Sequence, residues 1–154
     1  MAPSVERWNG RPYSPHPARD GAIEVFDPKT GTLLTSVSPT GTARALGLSA
    51  GALAVFLKRV DGSFAIERYA IPGGRLIAST PVNSHAAFEN LDIAGKWIVY
   101  RVRRQIRLIG PLGGDRLLIR APTLPIGVSI EGRRVAWAEN DRGRHRIRAI
   151  LAPR

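Results

Sequence analysis

The chain has 154 residues, 44% hydrophobic and 23% charged, with 16 Gly, 12 Pro and no Cys. That composition fits one ordinary globular domain; it excludes collagen, coiled coil and outright disorder, and the lack of cysteine removes any disulfide framework or thiolate metal site. The formal net charge of +11 is uneven, since residues 1–95 carry 9 Lys and Arg against 8 Asp and Glu while residues 96–154 carry 14 against 4.

Residues 1–20 read as an extended N-terminal segment. Met1 to Gly21 is rich in Pro and Arg and holds no apolar h-region, so no secretory signal is expected and the compartment stays open. Strand signals begin with the alternating Ile23-Glu24-Val25-Phe26, followed by a glycine turn and the apolar Leu33-Leu34. The longest uncharged apolar run, Ala45 to Leu57, has 13 residues. A membrane-spanning helix needs about 20, so no span is expected.

From Gly51 onward a repeat organises the chain. Gly51, Gly95 and Gly132 stand 44 and 37 residues apart, each at the start of a short apolar segment, and five residues after each stands an aromatic: Phe56, Tyr100 and Trp137. A second glycine column, Gly31, Gly74 and Gly114, precedes further short strands, as expected of a residue that tolerates positive φ in tight turns. Upstream of each lies an alternating segment, with a fourth copy at His145 to Ile150. Periods near 40 residues built of short strands point to four-stranded propeller blades. The expected fold class is therefore all-β, a partial β-propeller. It comprises a half blade over 22–38, blades over 42–82 and 87–122, and an incomplete blade over 126–151, thirteen strands in all with little helix. Trp97 and Trp137 are expected to pack between blades, and Trp8 to pin the N-terminal segment.

Ser129-Ile130-Glu131-Gly132-Arg133-Arg134-Val135-Ala136-Trp137, continuing to the Asp141-Arg142-Gly143 turn, resembles the repeat of TolB-like, WD-repeat-like β-propellers. That repeat reads Ser-Pro-Asp-Gly-Lys/Arg before an apolar strand ending in an aromatic; Ile130 and Glu131 depart from it. Phe26-Asp27-Pro28-Lys29-Thr30-Gly31 is similar to a turn of quinoprotein-dehydrogenase-like propellers. The resemblance covers Ala22 to Leu151 and implies a protein-binding scaffold, often at the bacterial envelope. Closed propellers typically have four or more blades. Three routes meet that requirement: extra strands near Val5 to Trp8, a longer parent chain, or a homodimer whose ragged ends complete each other.

Against this frame the chemical motifs are sparse. Gly47-Leu48-Ser49-Ala50-Gly51 matches the G-x-S-x-G nucleophile elbow of serine hydrolases, with Asp92 and His145 or His85 as candidate partners. Thr42 to Leu46 is not the apolar strand that elbow needs, so Ser49 is the weaker alternative. His16, His85 and His145 have no zinc spacing, Gly110 to Gly114 reads as a hairpin turn, and no cofactor or metal is expected. Arginine outnumbers lysine 20 to 3. Strand alternation would set Arg144, Arg146 and Arg148 on one face, with Arg101, Arg103 and Arg107 as a similar row in the preceding blade. The expected function is a non-catalytic scaffold that binds a protein partner or self-assembles. The alternative is an anion- or nucleic-acid-binding surface built from those six arginines.

Overall fold

The computed structural model describes residues 6–8, 11–14, 21–83 and 90–153. Among these residues fifteen strands form four antiparallel sheets, each a simple meander, and no helix occurs. Sheet one holds β1 (Glu6–Trp8), β2 (Arg11–Ser14), β3 (Ile23–Phe26) and β4 (Leu33–Val37). Sheet two holds β5 (Gly41–Ser49), β6 (Ala52–Arg59), β7 (Phe64–Ala70) and β8 (Leu76–Val82). Sheet three holds β9 (Asn90–Ala94), β10 (Trp97–Val102), β11 (Gln105–Ile109) and β12 (Asp115–Arg120). Sheet four stops at three strands: β13 (Pro125–Glu131), β14 (Arg134–Asp141) and β15 (Arg144–Leu151).

The all-β expectation holds, with two strands more than the sequence indicated. β1 and β2 fall inside the stretch set apart as an N-terminal extended segment, and β2 pairs with β3 through Tyr13↔Val25 and Ser14↔Glu24. They have three and four residues, too short for alternation to register, and no glycine column marks them.

Hydrophobic burial joins each sheet to the next. Ile23, Val25 and Val37 of sheet one pack with Leu53, Val55, Leu57, Ala65 and Tyr69 of sheet two. The alternate β6 positions, Ala52, Ala54 and Phe56, pack on Leu91, Ile93, Ile98 and Tyr100 of sheet three. Val99, Ile106 and Leu108 then pack on Ile130, Val135 and Trp137 of sheet four. Strand β6 is thus covered on both faces, which is why its sequence is apolar without interruption. Among the described residues no apolar cluster links sheet four back to sheet one.

Inner strands of adjacent sheets run side by side in the same direction. Asn90 Oδ1 accepts from the Val128 amide and Asp92 Oδ2 from the Ile130 amide, both at 2.8 Å. At the preceding seam β5 approaches β9 so closely that a Cβ on Gly47 would lie 2.9 Å from Leu91 Cδ1. That glycine is set by packing between sheets.

The glycine-to-aromatic column conceals a shift of one residue. Gly95 and Gly132 occupy the first position of their two-residue turns, each at φ +57°. Gly51 occupies the second position, after Ala50. The structural equivalent of Tyr100 and Trp137 is therefore Val55. Since one residue reverses the face, Tyr100 and Trp137 face the preceding sheet while Phe56 faces the following one. Phe56 and Tyr100 meet across one seam, ring centroids 6.1 Å apart. Trp137 lies in the next seam with Trp97 packed beside it, and the Arg116 guanidinium sits 5.6 Å from the Trp97 ring centroid. The Trp8 side chain and the histidines at 16 and 85 lie outside the described residues.

Candidate functional site

The six candidate arginines divide into two groups that behave differently. Arg144, Arg146 and Arg148 do share a face of β15, opposite Asp141, Glu139 and Trp137 of β14. Their chemistry diverges along the strand. Glu139 is only 1% exposed. Its carboxylate accepts from Trp137 Nε1 at 2.7 Å and from Arg148 Nε at 2.9 Å. Burial pushes the Glu139 pKa up, but the Trp137 and Arg148 hydrogen bonds and the nearby Arg146 charge outweigh it and hold the pKa below the usual carboxylate value. All three arginines are exposed, but Arg148 alone of them donates a hydrogen bond to the buried Glu139 carboxylate among the described residues.

Arg101, Arg103 and Arg107 do not form a row. The two-residue turn Arg103-Arg104 pairs Val102 with Gln105, so odd positions of β10 share a face with even positions of β11. Arg101 lies buried on the face that carries Val99, and Arg107 on the opposite face with Tyr100. Arg107 Nε lies 3.1 Å from Asp115 Oδ1 and 3.2 Å from the Tyr100 hydroxyl, to which it donates. Burial would lower its pKa, yet Asp115 and Tyr100 raise it overall. The Tyr100 hydroxyl is pushed well above its ordinary pKa, by burial first and by Asp115 next, so it stays protonated.

What the turn does assemble is a cavity of ≈ 460 Å³. Asn83, Val102, Gln105 and four arginines, Arg103, Arg104, Arg107 and Arg120, line it. Arg104 Nε is held by the Ala121 carbonyl at 2.9 Å. The Arg103 and Arg120 guanidinium groups have no hydrogen-bond or ion-pair partner among the described residues. Arg103 sits at φ 52°, a left-handed conformation that glycine adopts freely and arginine only at a cost of about 1 kcal/mol. Arg142 repeats the pattern at φ 51° in the corresponding turn of sheet four, next to Arg144. Arg104 and Arg120 were not singled out in the sequence. Arg120 ends β12 and reaches the turn only because Gln105↔Arg120 is the last rung of that ladder.

Ser49 closes β5 just before a hairpin, its hydroxyl 3.5 Å from the Ala52 carbonyl oxygen. No helix follows it, so the strand-turn-helix geometry of a nucleophile elbow is absent there. Asp92 Oδ1 and Oδ2 accept from the backbone amides of Ile93 and Ile130. His145 is exposed on β15, two sheets away from Ser49. The structure therefore does not gather Ser49, Asp92 and His145. No group of three or more His, Asp or Glu side chains positioned to hold a metal occurs among the described residues.

The fold has relatives among solved structures. Hydrazine synthase of Kuenenia stuttgartiensis superposes with a TM-score of 0.63 at 14% identity, over 90% of this chain and 42% of that one. TolB from Acinetobacter baumannii gives 0.61 at 15% identity, over 91% and 37%. BamB from Moraxella catarrhalis gives 0.51 at 16% identity, over 87% and 39%. All three are β-propeller proteins, and the four sheets described here have the architecture of propeller blades. The chain spans about two-fifths of the length of each. No protein-family model matches the chain, and no curated protein matches it in sequence.

Proposed function

We propose that the chain is a non-catalytic interaction scaffold whose partner is a protein presenting an acidic segment to the arginine cavity. The observation that carries this reading is the pair Arg103 and Arg120, both exposed and without a partner among the described residues, on the wall of a ≈ 460 Å³ cavity. Arg103 is held in a backbone conformation that glycine would adopt with less strain. Backbone strain of that kind concentrates at working sites. Guanidinium groups suit carboxylates because their planar fork donates two parallel hydrogen bonds. The propeller neighbours support the scaffold role at the level of architecture alone, since propellers host many functions.

A second copy is a weaker occupant for the β15 surface. Two β15 strands paired about an axis normal to the sheet would keep every residue on its own face and set one arginine row against the other. Like charges directly opposite destabilise a strand pair. The rival reading, an anion- or nucleic-acid-binding surface, rests on the same unpartnered guanidinium groups.

One titration separates these. A labelled ten-residue glutamate peptide and a single-stranded DNA of similar charge are each followed by fluorescence anisotropy against the wild type and Arg103→Ser/Arg120→Ser. Peptide binding that the double substitution abolishes supports the scaffold reading, and DNA binding with the same dependence moves the assignment to nucleic acid. Binding of neither, or binding indifferent to the substitutions, removes both. Light scattering on the same samples reports self-assembly as a mass of twice 16.7 kDa.

A further inference from the structure

Among the described residues sheet four is one strand short of the other sheets, and β15 bears the consequence. It follows β14 as β11 follows β10 and β7 follows β6, third in its sheet. β7 and β11 are each covered by a fourth strand, β8 and β12, and most of their residues are buried. β15 pairs with β14 alone among the described residues, and none of its eight residues is buried.

The edge it presents is regular. Sheets one to three each meet their outermost strand, β4, β8 and β12, through a register shift, and β8 also carries Pro81. Bulges and prolines blunt a sheet edge against further pairing. β14 and β15 pair over eight rungs without a shift. β15 therefore has the ladder of an inner strand in the place of an outer one.

The ladder also fixes which backbone groups face outward. The Ala152 amide donates to the Arg133 carbonyl oxygen at 2.8 Å, and along an antiparallel strand residues bonded to the partner alternate with residues that are not. Even positions of β15 thus bond to β14, and the amides and carbonyls of His145, Ile147, Ala149 and Leu151 point away from it. Side chains complete the pattern. Ile147 and Leu151 are 84% and 64% exposed on one face, and Arg144, Arg146 and Arg148 stand on the other. Neither Arg144 nor Arg146 makes an ion pair among the described residues.

A strand laid antiparallel on this edge sets each side chain beside the β15 residue opposite, on the same face. Opposite Arg144 and Arg146 the favoured groups are carboxylates, and opposite Ile147, Ala149 and Leu151 they are apolar. The arginine row also rejects a second β15, which would set like charges across the pair.

We infer that the free edge of β15 is a docking site for an extended segment of an acidic partner protein, its acidic and apolar residues alternating, which adds a fourth strand to sheet four. The site shares no residue with the arginine cavity and stands whether or not that cavity binds.

The probe is an end-capped, fluorescent peptide of eight residues, the length of β15, alternating glutamate and valine and titrated by anisotropy into the full chain. Saturable binding in the micromolar range is expected, weakened about fivefold or more by Arg144→Ser/Arg146→Ser and unchanged in Arg103→Ser/Arg120→Ser. N-methylation separates strand pairing from charge attraction. Methyl groups on the valine amides, which bond to the outward groups of Ile147 and Ala149, are expected to abolish binding, and methyl groups on the glutamate amides to leave it within about twofold. Hydrogen exchange gives a second reading: the Ile147 and Ala149 amides should exchange fast in the free chain and slowly with peptide bound. No saturable binding by the wild type, equal binding of the two methylated peptides, full affinity in Arg144→Ser/Arg146→Ser, or loss of binding in Arg103→Ser/Arg120→Ser would each overturn the assignment. Slow exchange of those two amides before peptide is added would overturn it too, since the edge would already be covered: by a second copy where light scattering gives twice 16.7 kDa, and by the chain itself where it does not. The two methylated peptides decide alone if a variant fails to fold.

Discussion

At the scale of single residues, Glu139 shows how a charged position in a repeat becomes structural. Its carboxylate is buried at the seam between sheets three and four and satisfied by Trp137 and Arg148. Deleting one partner of a buried charge costs more than the pair contributes, because the other is left desolvated. The Arg148 side chain is 42% exposed, so solvent tempers the loss. Arg148→Ala is expected to cost about 1–3 kcal/mol by urea denaturation, against within about 0.5 kcal/mol for Arg144→Ala. The pH dependence follows from the depressed pKa. A carboxylate with a folded pKa below its ordinary 4.5 stabilises the fold above that value and loses the contribution as pH falls through the folded pKa. Urea midpoints at pH 7 and pH 3 should therefore differ less in Glu139→Gln than in the wild type. An equal acid loss in both would show that Glu139 takes no part in it. Ser49 yields the complementary expectation. With its hydroxyl toward the Ala52 carbonyl in a hairpin, Ser49→Ala should leave unchanged any turnover of an activated ester, and serine-dependent turnover would reopen the hydrolase alternative.

At the scale of elements, the decisive variable is the parity of a turn. Alternation within β15 alone placed Arg144, Arg146 and Arg148 on one face correctly, because no turn interrupts them. Extending the same alternation from Arg101 to Arg107 failed, because the two-residue turn at Arg103-Arg104 exchanges odd for even. The aromatic column failed in the same way: Gly51 holds the second turn position where Gly95 and Gly132 hold the first. Periodicity therefore revealed which segments from Ile23 onward are strands, since this depends on composition over several residues, and missed β1 and β2. It did not reveal facing, which depends on a single residue at each turn. The arginine cavity was half legible for that reason. Arg103 stood out by composition, whereas Arg120 joins it only through a ladder that spans two turns. Gly47 belongs to this scale as well. A side chain there meets Leu91 Cδ1 at 2.9 Å and Ile93 Cγ2 at 3.1 Å, so Gly47→Val is expected to cost about 1–3 kcal/mol through overpacking between β5 and β9. Gly51→Ala, with nothing within 4 Å, serves as the comparison. Equal denaturation midpoints for the two would contradict a packing role for Gly47.

Across the whole molecule, three apolar seams connect four sheets in sequence order, and each sheet hides its faces only against its neighbours. Arrays of that kind behave as a sum of unit stabilities and nearest-neighbour interfaces, so damage at one seam is felt unevenly. Phe56 is completely buried at the middle seam and Trp137 is buried at the last. Truncating either to alanine is expected to cost about 3–5 kcal/mol locally. The two should differ in reach. Trp137→Ala removes the packing of sheet four, so amides of β13, β14 and β15 should exchange faster while those of β6 and β7 keep their protection. Phe56→Ala cuts the array at its centre, and amides on both sides of the seam, in β6 and in β10, should accelerate together. Hydrogen exchange resolved by residue reads both patterns directly. Uniform acceleration across all four sheets in Trp137→Ala would mean that the molecule unfolds as one cooperative body, and that the seams transmit stability over more than the adjacent sheet.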